Sequence, residues 1–356
     1  MSLVDEARAV RPGEEVDVAK LEAFLRERAP EFAGPVTVSQ FPGGHSNLTY
    51  LVTVGSRELV LRRPPFGNRV KSAHDMGREF RILSRLSAVF PKAPRALVYE
   101  EADAVLGAPF YLMERIRGLV LRGRALPQGV SLAASDLRAL GLAVADTLAE
   151  LHRVDVVKAE LAELGRPEGY VERQVRGWIK RYADARPDDV PEMNEVEAWL
   201  QAALVAGVGA TAPGLVHNDF KFDNLVLDAV APTKIVGVLD WEMATYGEPM
   251  TDLGTALAYW TEATDPEEMR ALPFGPTMLE GSLSRADFVV RWAEGSGREP
   301  VSLPFFHAFA HYRTAVVAAQ IYWRYRHGHT KDARFAAFAP AVGILARAAL
   351  RARDER

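Results

Sequence analysis

Cysteine is absent from this 356-residue chain. That absence excludes disulfide staples, thiol nucleophiles and cysteine-ligated zinc, and it suits a reducing compartment. An excess of charge of one sign is also lacking: 43 basic side chains stand against 47 acidic ones, giving a net charge of −4. Bulk electrostatics therefore give no reason to expect a nucleic-acid partner. The first residues, MSLVDEARAVRPGEE, contain no apolar segment of the secretory type. No uninterrupted apolar run approaches the roughly 18 residues needed to span a bilayer, and the nearest candidates carry Gly, Pro or Arg. These features lead us to expect a soluble cytoplasmic protein with no membrane and no nucleic acid as partner. Internal repeats and low-complexity tracts are lacking too. What is there is 48% apolar and 25% charged residues, enough for a sizeable core and, at this length, two lobes.

Residues 17–30, DVAKLEAFLRERAP, place apolar side chains at helical spacing between an Asp N-cap and Pro30, which predicts a leading helix. From 36 to 63 the pattern changes to short β-branched runs, VTVSQF, LTYLVTV and ELVLRR, broken by PGGHSN and GS. That is the pattern of a β-meander. MGREFRILSRLSAVF (76–90) returns to helical period, and RALVYEE and PFYLMERI read as two further strands. Residues 36–116 thus predict a five-stranded sheet with one helix inserted after the third strand. Beyond Gly118 the chain is mainly helical, at 131–154, 170–184 and 195–207. A strand pair, NLVLD with TKIVGVLDW (233–241), interrupts the helices, which then resume to the end. A strand-rich first third before a helical remainder is an α+β, bilobal design, with lobes 1–116 and 117–356.

The interruption holds the chemistry. HNDFKFDN places His217, Asp219, Asp223 and Asn224 within eight positions, between apolar flanks. Polar groups wedged between buried strands cost free energy unless they are paired or used. Asp219 and Asn224 lie five residues apart on a tight loop, and the facing strand ends in Asp240. Such a ribbon would converge three oxygen-bearing side chains. Mg²⁺ prefers oxygen, takes one or two carboxylates and leaves its other positions to water and phosphate. Asn224 and Asp240 suit the ion, which leaves Asp219 to accept a proton from an attacking hydroxyl. Kinases divide the labour in this way. A buried Asp can instead cap a turn, but the companions Asn224 and Asp240 favour catalysis.

The ordered motifs resemble the aminoglycoside phosphotransferase and choline-kinase-like family, small-molecule kinases with the protein-kinase fold. HNDFKFDN resembles that family's H-G-D-x-x-x-x-N, and VLDWEMATYGEPMTDL its metal-loop motif. FPGGHSNLTYLV, LVLRRPP with SAHDMGREFRIL, and PFYLMERIRG match the nucleotide loop, the third strand with its helix, and the inter-lobe segment. GYVERQVRGWIKRY and FHAFAHYRTAVVAAQIYWRY point to the branch found alone in bacteria or fused to acyl-CoA dehydrogenases. The similarity runs from about residue 17 to about residue 330. It implies ATP and Mg²⁺ as cofactors and a nucleotide-binding N-terminal lobe. Gly44, Ser46 and Asn47 would lie near the phosphates, since Gly lets backbone N–H groups approach phosphate oxygens. Without that context GGHSN is a hairpin turn, and it is not a Walker loop. Arg62 stands where most kinases place a phosphate-holding lysine, with Glu79 as its partner. Strand alternation sends Arg62 and Arg63 to opposite faces, and the VLR alignment favours Arg62. Glu114 and Ile116 would offer main-chain groups to adenine. His217 would brace the loop by hydrogen bonds, and Asp252 would cap a helix or brace the metal loop. Asn218 replaces the family's usual Gly and tolerates φ > 0 better than most residues.

The resemblance implies phosphoryl transfer from ATP to a hydroxyl of a small molecule. Segment 170–186 carries Arg173, Arg176, Lys180, Arg181 and Arg186. That excess of cations favours a hydroxyacyl-CoA, a hydroxy acid or a sugar over a polycationic aminoglycoside, with a partner in acyl-CoA metabolism as a related expectation. The alternative is a pseudokinase-like nucleotide-binding module that regulates a partner without transfer. His307 and His311 have zinc-like spacing, but no Glu lies between them and no third ligand is evident, so they read as core residues. The basic C-terminal stretch LARAALRARDER reads as a solvated amphipathic helix.

Overall fold

The structure is a computed structural model that describes residues 5–41, 47–66, 75–185, 189–328 and 333–355. It divides into two compact units. The first comprises Met1–Val120, Lys158–Leu161 and Asn224–Met243; the second comprises Leu121–Val157, Ala162–Asp223 and Ala244–Arg356.

In the first unit helix α1 (Val18–Arg28) is capped by Asp17, whose carboxylate accepts from Lys20 N–H. It precedes strands β1 (Val36–Gln40), β2 (Leu48–Val54) and β3 (Arg57–Arg63). Helix α2 (Met76–Leu86) follows, then β4 (Ala96–Glu100) and β5 (Phe110–Glu114). All neighbouring strands are antiparallel, in the order β1-β2-β3-β5-β4. The predicted five-stranded sheet with a helix after its third strand is therefore present. Alternation explains the packing: Leu48, Tyr50, Val52 and Val54 of β2 are buried, with half-buried residues between them. They share a core with Leu59 and Leu61 of β3 and Leu21, Phe24 and Leu25 of α1. Phe24 meets Phe110 edge to face, with ring centroids 5.1 Å apart. The same alternation leaves Arg62 on the sheet face opposite Leu61.

The helix-rich second unit begins with α3 (Ala134–His152), α4 (Tyr170–Ala185) and α5 (Pro191–Ala206). Short strand β6 (Gly214–Val216) follows. Ribbon strands β7 (Leu225–Leu227) and β8 (Ile235–Val238) come next in the chain but cluster with the first unit. The second unit resumes with β9 (Thr245–Gly247), α6 (Met250–Tyr259), α7 (Glu267–Arg270), α8 (Arg285–Ser296), α9 (Leu303–Arg326) and α10 (Phe338–Arg353). The β7–β8 pair is the predicted one; β6 pairs with β9, which the sequence reading did not foresee. At Gly254 a Cβ would come within 2.4 Å of the Phe306 carbonyl, so glycine is what lets α6 lie directly on α9. The stretch Arg334–Arg353 is long and apolar enough by composition to cross a membrane. Val342, Leu345, Ala346 and Ala349 of that stretch are nevertheless buried in the unit, where α10 packs on α9.

Candidate functional site

The first unit gathers acids around one arginine. Arg62 and Glu79 are both buried, and Nε of Arg62 lies 3.4 Å from the Glu79 carboxylate. One terminal nitrogen of Arg62 donates to Asp240 Oδ1 at 3.0 Å and lies 3.5 Å from Glu242. Three carboxylates thus share one guanidinium. Burial pulls the Arg62 guanidinium down, but Glu79 and Asp240 outweigh it and hold it above its ordinary value. Burial pushes the Glu79 carboxyl up, against the pull of Arg62. Arg63, by contrast, donates to the carbonyls of Pro64 and Leu106 and lies over the Phe66 ring. Of the two arginines, Arg62 is the one that meets Glu79.

Ribbon geometry sets the other groups of this unit. Leu225 pairs with Val238, and the N–H of Leu239 donates to the Asn224 carbonyl at 2.8 Å, so Asn224 and Asp240 sit at one end of the β7–β8 ribbon. The buried Trp241 indole donates to the Val238 carbonyl at 2.8 Å and pins the turn that carries Asp240. Asp240 has φ +66°, a left-handed conformation that few side chains accept. Asn47 is buried and donates to Glu242 at 2.8 Å. Glu242 is further held through its carbonyl, which accepts from Arg78 at 2.9 Å. Glu114 ion-pairs with Arg95, and its backbone N–H donates to the Arg95 carbonyl. Ile116 packs beneath Gly237. Gly44 and Ser46 lie outside the described residues. The amide oxygen of Asn224 and the carboxylate of Asp240, set beside an excess of negative charge, fit a hard divalent cation.

The second unit holds the loop after β6. Asp252, fully buried on α6, accepts from the backbone N–H groups of His217 at 2.5 Å and Asn218 at 2.6 Å. Its Oδ2 also lies 3.3 Å from Nε2 of His152. The Trp292 indole donates to Nδ1 of His152 at 2.9 Å, so the imidazole proton is on Nε2, facing Asp252. Burial would raise the Asp252 carboxyl, but these bonds and the nearby His217 pull it below its ordinary range. Burial likewise pushes His152 down, so its ring is neutral. Asn218 has φ +67°, the left-handed geometry its replacement of Gly allows. Its side-chain oxygen accepts from Tyr170 at 3.1 Å and its carbonyl from Arg313 at 3.0 Å. His217 Nδ1 accepts from Asp219 N–H at 3.2 Å. The Asp219 carboxylate is gripped by Lys221, with Nζ at 2.9 and 2.8 Å from its two oxygens. Burial pulls the Lys221 ammonium down, but Tyr259 and Asp219 outweigh that and keep it charged.

Residues 37–280 match the family described as Phosphotransferase enzyme family (APH). The chain belongs to that family. Among curated relatives of this phosphotransferase-family chain, acyl-CoA dehydrogenase family member 11 of Mus musculus is 33% identical over 335 residues. That match covers 91% of this chain and 41% of the mouse protein, so the chain spans less than half the length of that relative. A crystal structure from Ralstonia eutropha JMP134, of a protein named for the aminoglycoside phosphotransferases, superimposes with a TM-score of 0.79 at 26% identity. It covers 96% of this chain and 99% of its own. Choline kinase from Cryptosporidium parvum Iowa II shares the fold, with a TM-score of 0.61 at 14% identity over 95% of this chain and 96% of its own.

Several groups at the site escaped the sequence reading. Glu242 lay inside the quoted VLDWE and had a signal, an acid two residues from a metal-ligand candidate. Lys221 likewise sat in HNDFKFDN. His152, Trp292 and Arg313 had none, because each meets its partner through contacts far away in the chain.

Proposed function

We propose that this family member is an ATP- and Mg²⁺-dependent phosphotransferase acting on a hydroxyl of a small molecule. The observation that carries the reading is Arg62, which meets both Glu79 and Asp240. A kinase needs one cation steadied by a buried acid and set beside the metal ligand. In this reading Arg62 holds the α- and β-phosphates and Glu79 orients it. Arg is a planar fork where lysine is a point charge, so phosphate is gripped through two N–H groups. Asn224 and Asp240 would hold Mg²⁺, which supplies charge neutralisation on the phosphates. Gly44, Ser46 and Asn47 serve the phosphates. Adenine takes main-chain groups at Glu114 and Ile116, and because the Glu114 N–H is bonded to Arg95, its carbonyl is the group on offer. Asp219 receives the hydroxyl proton, on a loop that Asp252 and His217 keep in place. The acceptor is a hydroxyacyl-CoA, a hydroxy acid or a sugar in preference to an aminoglycoside, and the mouse relative's name is what suggests acyl-CoA metabolism.

One observation favours a second reading, a nucleotide-binding module without transfer: arginine stands where most kinases carry lysine. Two measurements separate the readings. ADP release is followed across acyl-CoAs, hydroxy acids, sugars, choline and aminoglycosides, and melting temperature is followed with ATP, with and without Mg²⁺. Saturation at 100 times Kd adds about 2.7 kcal/mol of stability. Stabilisation accompanied by ADP release with one acceptor class supports the phosphotransferase. Stabilisation with no release from any compound supports the module.

A further inference from the structure

Helix α4 concentrates cations, and the structure sorts them. Arg176 pairs with Glu172 at 2.9 Å and Lys180 with Asp184 at 2.7 Å. Arg173 donates to the carbonyls of Arg166 and Glu168. Arg186 lies outside the described residues. Arg181 remains: among the described residues it makes no hydrogen bond or ion pair. Its guanidinium carbon lies 4.7 Å from the centroid of the Trp178 ring.

A second guanidinium comes to the same indole from α9. The carbon of Arg313 is 5.2 Å from that centroid, and Arg313 is only 6% exposed. Its hydrogen bonds go to the carbonyl and side-chain oxygen of Asn218, at 3.0 and 3.4 Å, and no described carboxylate accepts from it. Trp178 is itself 6% exposed, and its buried indole N–H has no acceptor among the described residues. Burial and the charge of Arg313 both push the Arg181 guanidinium down from its ordinary value. Two cations and a buried donor meet around one ring, with no described carboxylate bonded to either cation, and the buried members of that set are costly unless an anion completes it. The fork of a guanidinium suits two oxygens of one carboxylate or phosphate. This place adjoins the chemistry of the same unit: Asn218, which holds Arg313, directly precedes Asp219 in the chain. Arg313 and Asp219 both act electrostatically on Tyr259.

We infer that Arg181, Arg313 and the Trp178 indole form an oxyanion subsite that selects acceptors carrying a carboxylate or phosphate besides the hydroxyl to be phosphorylated. This deepens the phosphotransferase reading and rests on it for the word acceptor, but not for binding. The test uses matched sets: 1,3-butanediol with 3-hydroxybutyrate, and glycerol with glycerate and glycerol 3-phosphate. Binding is read from tryptophan fluorescence without nucleotide, and transfer from ADP release as kcat/KM. Hydrogen bonds to charged groups lead us to expect the oxyanion members to be favoured by about tenfold to about 100-fold. Glycerate against glycerol 3-phosphate tells which oxyanion is preferred. Arg181→Gln removes an exposed side chain, with melting temperature as the check on folding, and should bring the oxyanion-to-neutral ratio towards one. Arg181→Glu should shift preference towards an amino alcohol such as ethanolamine. Equal binding of oxyanion and neutral partners by the wild type, or an unchanged ratio in Arg181→Gln, overturns the subsite. Oxyanion-selective binding with no ADP release sustains the subsite and sinks the phosphotransferase reading instead. ADP release from neutral compounds as fast as from their oxyanion partners does the reverse.

Discussion

The two units handle arginine in opposite ways. In the first, one guanidinium is shared by three carboxylates, Glu79, Asp240 and Glu242. In the second, two guanidiniums approach one indole, and among the described residues no carboxylate bonds to either. An excess of either sign is unfavourable where it is desolvated, which is why the ligands proposed for the two regions have opposite signs: Mg²⁺ for the first and an oxyanion for the second. Asp219 departs from both patterns, because Lys221 balances its charge one to one.

The largest expected effect on activity breaks the comparison at that balanced pair. Asp219→Ala removes the proposed proton acceptor and should lower turnover by about 10²–10⁴-fold, or about 3–5 kcal/mol of barrier, while ATP still binds. Steady-state ADP release and an ATP titration measure the two effects separately. Next comes the anchor below the loop. Asp252→Ala strands two backbone N–H groups and the His152 Nε2–H, and at about 1–3 kcal/mol for each stranded buried group should cost about 3–9 kcal/mol in chemical denaturation. An unchanged denaturation midpoint would show that the loop does not depend on this carboxylate. Smaller, and aimed at the acid-rich region, is Asp240→Ala, which should weaken Mg·ATP binding by about tenfold, about 1.4 kcal/mol, and change binding of Mg²⁺-free ATP far less. Wild-type turnover in both Asp219→Ala and Asp240→Ala would refute the kinase assignment.

The smallest effect concerns pH. Burial lowers His152 and His311 below the ordinary histidine value. The unfolded chain then takes up protons that the folded chain refuses. Stability from these rings is full above about pH 6.5 and is lost as pH falls below it. Denaturation at about pH 7.5 and about pH 5.5 should show a drop in the wild type that is smaller in His152→Gln. Equal drops would assign the acid sensitivity elsewhere.

Much of the fold could be read from the sequence, because β-branched alternation and helical period are local signals. The sheet, its inserted helix and the β7–β8 ribbon all follow from them. Strand order β3-β5-β4 does not, since pairing depends on contacts distant in the chain. Alternation told that Arg62 and Arg63 face opposite ways but not which face α2 covers, so Glu79 had to be seen in place. Asn218 and Arg313 are 95 positions apart in the chain, and an arginine within α9 carries no local pattern to announce that bond. Asn218 is a different case. Its replacement of Gly was visible, and its left-handed backbone followed from what Asn tolerates.

The same dihedral at Asp240 has a consequence for substitution libraries. Left-handed backbone admits Gly, Asn and Asp readily and penalises longer or β-branched side chains. Folded survivors of saturation at this codon should therefore be rich in Asn and Gly and poor in Glu, although Glu alone keeps the charge. Chain conformation, ahead of metal chemistry, would narrow the alphabet available at position 240.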